Sequence, residues 1–382
     1  MNIRTLLAIM TIGVVSTAFS SGVVKNVTAR QIQPWRGLVE IQYELTEDVI
    51  APTGKALSTT IICEDLQNGT NYLAFSINAN PTYERGVHKL VWNAGRDKVV
   101  IRSRDVVFRV SISTAQYCVI DLAEGVDAKY YPVRYLDSVP AGGWTEEYKT
   151  TRLVLKYIEP GKFTMGSKTT EDNVPHEVTL TEPFFMGVFE VTQKQYELVT
   201  GDVLVPSNEE CRGECHPVEV SWNLIRGNSD VHDWPKVKTV DDKSFVGKLR
   251  LRTGIDFDLP TEAKWEYACR AGTSTTYSFT YSSTEYMWCL GRSGSHEVGL
   301  LRPNPWGLYD VHGNVYEWCL DWYDWIEETK SVVDPLGVED GSNRVCRGGA
   351  WYADTEFCES AARNGRSPTA SYGFRLCGPV SQ

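Results

Sequence analysis

One stretch constrains this chain more than any other: residues 304–323, which read NPWGLYDVHGNVYEWCLDWY. Apolar residues in it follow neither helical spacing nor the strict alternation of a strand. Its three tryptophans supply large, rigid apolar surface, while residues such as Pro305 and Gly313 interrupt the backbone. The tryptophans are Trp306, Trp318 and Trp322. This composition predicts a core built from irregular loops around the three rings.

Length and charge set the broad class of the protein. The chain has 382 residues, which is enough for two domains with cores of their own. Its formal net charge is -11, so no basic face is expected that could neutralise a run of phosphates. Nucleic acid is therefore not an expected partner. The six histidines stand apart in sequence, which argues against a zinc or iron site built on histidine.

The N-terminus has the pattern of an export signal. Arg4 is followed by an apolar run over 6–19 and by small residues that end at Ser20, which predicts a signal peptide over 1–20. The run is shorter than the roughly 20 residues of a membrane-spanning helix, although a retained anchor is the alternative. We expect a secreted or periplasmic protein without a membrane span after cleavage.

Ten cysteines are an even number, which in an exported chain favours disulfides. Cys211 and Cys215 could close a small loop around Gly213, and the competing metal site would lack a second pair of ligands. Cys118 could pair with Cys63. Ten cysteines allow on the order of a thousand pairings, so the sequence leaves the connectivity open.

The first domain has the alternation of β-strands. Within 37–45, Val39, Ile41, Tyr43 and Leu45 alternate with polar residues, and 106–112 repeat the pattern. Several such runs separated by turn residues predict an immunoglobulin-like β-sandwich over 21–114. It contains no catalytic constellation, so its expected role is binding, spacing or covering the second domain.

The alternation of apolar and polar residues ends after the predicted sandwich, and a pattern of both strands and helices begins at residue 151. Residues 115–150 are interrupted by glycines and prolines and predict a linker. A second, α+β domain is predicted over 151–378. Its clearest helices are 193–200, which Thr192 caps and Gly201 ends, and one that begins after Thr261.

The second domain resembles the sulfatase-modifying-factor family, that is, the formylglycine-generating-enzyme-like domain. The resemblance implies a C-type-lectin-like, loop-rich fold, which the aromatic composition supports. Seven segments carry it, in the order of the family: FTMGS (163–167), FFMGVFEVTQKQYELVTG (184–201), HPVEVSW (216–222), LPTEAKWEYACRAGT (259–273), residues 304–323, RVCRGGAWY (344–352), and SAARNGRSP with YGFRL (360–376).

The resemblance also implies what an oxidase of this family needs. Two cysteines, five residues apart and just after the Gly-Gly of the RGG segment, hold copper(I) as thiolates and bind dioxygen; soft thiolates suit that metal. Here Ala353 stands at the first position and Cys358 at the second. The loop is also three residues shorter than in the oxidases. The chain is therefore expected to have a degenerate oxidase centre.

Two interpretations of Cys358 remain. As a reactive thiol it would need cations that favour the thiolate, and Arg347, Arg363 and Arg366 are near in sequence. As a structural residue it would form a disulfide with Cys269, because the family commonly links the helix cysteine to one close to the AAR segment. The disulfide is the favoured interpretation.

The resemblance further implies a calcium site in the loop 310–317. Its ligands would be Asp310, Gly313, Val315 and Glu317, and calcium does take several hard oxygens in flexible geometry. The alternative is a turn at Gly313 with Glu317 merely hydrogen-bonded.

These observations favour a binding or assembly module as the function. Aromatic and arginine side chains suit a protein, peptide or carbohydrate ligand, and a sulfatase is a further candidate partner. The predicted ligand face consists of Trp351, Tyr352, Asp354, Arg363 and Arg366. The alternative is an oxygen- and copper-dependent formylglycine-generating oxidase in which Cys358 works with another cysteine, such as Cys346.

Overall fold

The chain divides into two compact units, 1–116 with 134–141, and 117–133 with 142–381. The predicted signal peptide, 1–20, lies outside the described residues. In the described part of the chain, no helix has both the length and the apolar character needed to cross a membrane. The computed structural model describes residues 23–33, 37–78, 81–100, 105–168, 173–280, 283–291, 293–326 and 330–380.

The first unit is built from β-strands. Its strands are β1 (Val24–Gln33), β2 (Leu38–Leu45), β3 (Leu57–Asp65), β4 (Thr70–Leu73), β5 (Gly86–Asn93) and β6 (Val106–Thr114). They form two antiparallel three-stranded sheets, with the orders β1-β2-β5 and β4-β3-β6. Residues of both sheets share one hydrophobic core.

Strand β2 shows why the sequence folds this way. Val39, Ile41, Tyr43 and Leu45 are all buried, while the residues between them are partly exposed. The predicted strand is thus confirmed, since alternation puts one face of β2 into the core. Each large apolar side chain buried in this way stabilises the fold by about 1.5–3 kcal/mol. The immunoglobulin-like arrangement of the unit stays a prediction.

The predicted linker 115–150 contains regular structure. It carries β7 (Tyr117–Asp121) and β8 (Val133–Leu136), with single 3-10 turns at Gly125–Asp127 and Glu146–Tyr148. All five residues of β7 are buried, and β7 pairs antiparallel with β9 (Arg152–Ile158) of the second unit. A strand covered on both faces has no polar alternation, which explains why periodicity missed it.

The second unit combines small sheets with short helices. Its remaining strands are β10 (Gly161–Met165), β11 (His176–Leu180), β12 (Phe184–Gly187), β13 (Glu317–Trp322), β14 (Val332–Val333), β15 (Arg344–Arg347), β16 (Asn364–Arg366) and β17 (Cys377–Pro379), and its helices are α1 (Gln193–Thr200), α2 (Trp222–Arg226), α3 (Phe245–Thr253) and α4 (Glu262–Arg270). Strands β17, β12, β9 and β7 lie side by side, β10-β11-β14 form a second sheet, and β13-β15-β16 form a third.

Helix caps follow the sequence closely. The Thr192 hydroxyl accepts a hydrogen bond from the Gln195 amide, and the Gln195 side chain accepts one from the Thr192 amide, so α1 begins with a capping box. Gly201 ends α1 in the left-handed conformation. Thr261 caps α4, as predicted. Helix α3 was missed, because its short apolar face lies among charged residues.

The stretch 304–323 lies at the centre of the second unit. Strand β13 forms its last part, and all six residues of β13 are buried. Trp318 is fully buried, and its indole nitrogen donates to the carbonyl of Val220 at 2.9 Å. Trp322 is also buried, whereas Trp306 is partly buried and packs against the hydrophobic core that includes Trp265 and Leu308. Trp318 and Trp322 are therefore buried, as the sequence predicts, and Trp306 lies at the edge of that core.

Candidate functional site

Both positions of the predicted oxidase centre, Ala353 and Cys358, lie in the loop that follows β15. Gly348 and Gly349 turn the chain with φ of 90° and 77°, and a 3-10 turn, Thr355–Cys358, ends the loop. Ala353 is buried, and its carbonyl accepts a hydrogen bond from the Leu290 amide at 2.8 Å. A methyl group therefore occupies the position where the resemblance puts the first cysteine.

Cys358 is a fully buried thiol, with 0% exposure. It packs in a small cluster with Met287 and Cys289, which Tyr277 partly covers. Its carbonyl accepts a hydrogen bond from Nδ1 of His312 at 2.8 Å. Burial, and next the neighbouring Cys289, raises the pKa of the Cys358 thiol to about 12. The thiol is therefore protonated at neutral pH and weakly nucleophilic.

The arginines near Cys358 in sequence are engaged elsewhere. Arg347 pairs with Glu262 and Glu266, and Arg363 binds Glu262 through two hydrogen bonds of 2.6 and 2.7 Å. Arg366 donates to the Tyr372 hydroxyl at 2.8 Å. None of the three is among the groups that shift the Cys358 pKa. The cationic activation considered from the sequence is thus absent at this thiol.

The structure contains none of the disulfides considered from the sequence. All ten cysteines lie among the described residues, and every one is buried. Cys269 and Cys358 belong to different clusters: Cys269 packs in the main core, with its sulfur 3.9 Å from Nε2 of His312, whereas Cys358 packs with Cys289. The sulfur of Cys211 instead accepts a hydrogen bond from the Ser295 amide.

The predicted calcium ligands all belong to the loop 310–317, and the calcium site stays a prediction. Both carboxylate oxygens of Glu317 contact Arg375, at 2.5 and 2.6 Å, and one also accepts from the indole of Trp265 at 2.7 Å. Gly313 and Val315 lie in the same loop, where their amides donate to Gly348 and Glu190. Glu317 is therefore held by a guanidinium, while Oδ1 of Asp310 is buried with no hydrogen-bond partner among the described residues. Among the described residues, no group of three or more His, Cys, Asp or Glu is arranged to hold a metal.

Asp310 belongs to a buried group of carboxylates that the sequence did not reveal. Its Oδ2 accepts from the Gly299 amide at 2.7 Å, and burial raises its pKa to about 6. Glu190 is fully buried beside it and binds the Asn314 side chain at 2.6 Å. Burial, with the charges of Asp310 and Glu317, raises the pKa of Glu190 well above its ordinary range. Arg375 is the cation that offsets this group.

The predicted ligand face divides into two places. Trp351 and Tyr352 pack at right angles with ring centroids 5.1 Å apart, and Tyr352 is 48% exposed. Asp354 is exposed at the start of the following turn. Arg363 lies apart from them, because its side chain is buried against Glu262.

Four rings join into what we call the aromatic cluster: Tyr316, Trp351, Tyr352 and Tyr372. Tyr316 lies 6.2 Å from Tyr352 and 5.8 Å from Tyr372, and Trp318 packs beneath Tyr372 at 5.2 Å. Arg366 reaches the cluster through the Tyr372 hydroxyl. The structure therefore brings three of the five predicted residues, Trp351, Tyr352 and Arg366, into one surface.

A buried ion network supports the loop from below. Glu266 of α4 is fully buried, where it binds Arg270, Arg347 and the Gly166 amide. The signal for it in the sequence is that Glu266 and Arg270 stand four residues apart on the predicted helix, a spacing that pairs opposite charges. The network fixes the end of β15 against α4, and so fixes where the loop begins.

A cavity of about 550 Å³ lies elsewhere in the second unit. Phe163, Tyr267 and Trp306 form its aromatic wall, and the Arg270 side chain reaches it from the ion network. Neither Cys358 nor any residue of the aromatic cluster lines it. The cavity is therefore separate from the predicted oxidase position and from the predicted ligand face.

Asp321 predicts a pH dependence of stability. It is buried and accepts a hydrogen bond from the Glu262 amide, and burial, then the charge of Glu262, raises its pKa from 3.8 to about 7. Because the folded state holds this proton more tightly, the stabilisation is complete below the ordinary pKa and is lost as pH rises through about 7. We expect the urea midpoint to fall between about pH 4 and 7, and Asp321→Asn to flatten that fall. The exposed Asp256→Asn is the control; an equal flattening there would contradict the assignment.

Comparisons with known proteins agree with this architecture. Residues 145–378, more than half of the chain, match the sulfatase-modifying factor enzyme 1-like domain. The formylglycine-generating enzyme of Mus musculus is 32% identical over 299 residues, which cover 63% of this chain and 80% of that enzyme. The serine/threonine-protein kinase pkn1 of Chlamydia pneumoniae is 30% identical over 237 residues, 59% of this chain and 37% of the kinase. The chain thus spans well under half of the kinase's length.

A solved structure matches the same part of the chain. Treponema denticola variable protein 1 superposes with a TM-score of 0.50 at 27% sequence identity, covering 60% of this chain and 96% of that protein. A single domain of the size of the second unit is therefore shared between the two proteins.

Proposed function

The chain belongs to the sulfatase-modifying factor family, and from this membership we propose that its second unit is a binding or assembly module whose oxidase centre has degenerated. The observation that carries the proposal is the pair Ala353 and Cys358. One position has no sulfur, and the other holds a fully buried, protonated thiol. A copper(I) site in this loop would need two thiolates, so the residues present do not fit that metal.

The surface near the lost centre supports binding. The aromatic cluster is partly exposed at Tyr352, and Arg366 contacts only neutral groups among the described residues: the Tyr372 hydroxyl, the Asn364 side chain and the Gly365 carbonyl. Aromatic faces with a guanidinium that has no counter-ion suit a peptide or carbohydrate ligand with an anionic group. We also propose that the protein is secreted or periplasmic, because residues 1–20 have the pattern of a signal peptide.

An oxidase is the second candidate, because one observation favours it. Cys289 and Cys358 pack in the same cluster, so a second sulfur does lie beside Cys358. Cys346, the partner suggested by the sequence, lies instead in β15, paired across the sheet with Trp318 and Asn364. An oxidase would therefore use Cys289, and it would need both thiols to lose their protons.

The test is to incubate the purified full chain with copper(I), oxygen and a Cys-X-Pro-X-Arg peptide, and to follow the peptide by mass spectrometry. We expect no formylglycine. We also expect Cys358 to resist iodoacetamide in the native protein and to react after unfolding in urea. Formylglycine formed by the wild type, lost in Cys358→Ala and Cys289→Ala but kept in Cys118→Ala, would overturn the binding proposal in favour of the oxidase.

A further inference from the structure

Glu219 is a half-buried carboxylate without a partner. In the part of the chain that the structure describes, no hydrogen bond or ion pair reaches its side chain, and burial raises its pKa to about 7. Removing a carboxylate from water is costly unless another group replaces the water, so folded proteins normally pair such groups. Arg363 and Arg347, by comparison, are both paired with Glu262. Glu219 is an exception among the described residues, and because its carboxylate oxygens are not fully buried, a group from outside the chain could reach them.

The backbone places Glu219 beside the aromatic cluster. It directly precedes Val220, whose amide and carbonyl bond to Tyr372 at 2.9 and 3.1 Å. The Trp318 indole also donates to the Val220 carbonyl, which fixes this segment to the floor of the cluster. Burial, then Tyr372 and then the charge of Glu219 raise the pKa of the Tyr352 phenol, so Glu219 lies near this exposed ring. The unpaired carboxylate and the exposed ring thus belong to one surface.

The geometry of the rings suits a cation. Trp351 and Tyr352 meet edge to face, with planes at 89°, and Tyr316 and Tyr372 do so at 87°. Tyr352 is the ring of the cluster that is 48% exposed, and the negative face of an aromatic ring attracts an ammonium or guanidinium group. Among the described residues, no Lys or Arg side chain stacks on the face of one of these four rings. Arg366 instead donates a hydrogen bond to the Tyr372 hydroxyl.

We propose that Glu219 and the aromatic cluster bind the Lys or Arg side chain of a partner peptide. This inference rests on the proposed binding function, because it uses the same face. A peptide is favoured over a free organic cation, because Arg366 has no acidic partner among the described residues and lies on the same surface. A peptide can carry a cation for Glu219 and an anion for Arg366 at separate positions. The chain's net charge of -11 further favours a basic partner.

The probe is a set of random hexapeptide pools that differ only in one fixed central residue: Lys, Arg, norleucine or citrulline. Binding to the full chain is measured by fluorescence anisotropy. We expect the Lys or Arg pool to bind at least tenfold more tightly than its uncharged counterpart. Glu219→Gln is expected to remove that preference, while Glu177→Gln, which changes an exposed carboxylate of β11, preserves it. Thermal unfolding of both variants checks that the fold is intact.

The outcomes separate this inference from the proposed function. If all four pools bind equally well and Tyr352→Ala removes that binding, the role of Glu219 is overturned. The proposed binding function would still stand. Binding of a neutral oligosaccharide that Glu219→Gln does not change, with no binding of any peptide pool, would overturn the role of Glu219 as well. Formylglycine production would overturn the function itself.

Discussion

Replacing Arg375 by Met is expected to destabilise the protein by about 3–5 kcal/mol, the usual cost of removing one partner of a buried ion pair. Arg375 makes four hydrogen bonds: two to Glu317, one to the Gly187 carbonyl and one to the Tyr309 carbonyl. Without it, Glu317 stays buried beside Asp310 and Glu190, and the three carboxylates lose the cation that binds Glu317 directly. A loss of this size is a large fraction of the stability of a typical domain.

Urea unfolding followed by tryptophan fluorescence measures the effect. The matched control is Arg302→Met, which breaks an ion pair with Glu285 whose side chains are 67% and 49% exposed. Exposed pairs contribute about 0–1 kcal/mol, so this variant should unfold close to the wild type. The double variant Arg375→Met/Glu317→Gln should recover part of the loss. Equal midpoints for Arg375→Met and Arg302→Met would refute the assignment.

Gly313→Ala is expected to be comparably severe. Gly313 has φ of +114°, and an added Cβ would lie 1.9 Å from the Trp288 carbonyl oxygen and 2.7 Å from its carbon. Both obstacles are backbone atoms, which cannot move aside as a flexible side chain can. The segment that would have to shift is held in place, since the Asn314 amide donates to the same Trp288 oxygen. We expect a loss of more than about 3 kcal/mol, or a failure to accumulate as folded protein.

Gly254→Ala isolates the steric contribution. Gly254 ends α3 with φ of +71°, and an added Cβ would meet nothing within 4 Å. This variant should therefore cost only the strain of the left-handed conformation, about 1–2 kcal/mol. The difference between the two unfolding free energies measures the clash at Trp288. Similar values for both variants would show that the loop 310–317 relaxes freely.

Sequence patterns predicted those elements in which the local chemistry alone decides the structure. The alternation in β2 and the capping box of α1 are complete within a few residues, so both could be assigned in advance. Strand β7 lacked such a signal, because both its faces are covered, and α3 lacked one because its short apolar face lies among charged residues. The central tryptophans were predictable because nothing but a core accommodates them.

The site was predicted less well, because it depends on contacts between distant segments. Ala353 could be recognised as a lost cysteine from the resemblance alone. Arg363 pairs with Glu262, about a hundred residues away, and Arg375 pairs with Glu317, and neither contact could be predicted from the sequence. Glu219 gave no signal at all in the sequence, since what distinguishes it is the absence of a partner among the described residues.

Strand β7 also changes where the family domain should be considered to begin. The family match starts at residue 145, yet the second unit starts at Tyr117, and β7 pairs along β9 through five residues. A protein cut at 145 would keep β9 but lose this neighbour. The apolar residues Leu153, Val154 and Leu155 would then lie on a newly opened sheet edge, the kind of surface that draws other chains into aggregates. The compact unit is therefore longer than the family match, and fragments for expression should begin before Tyr117.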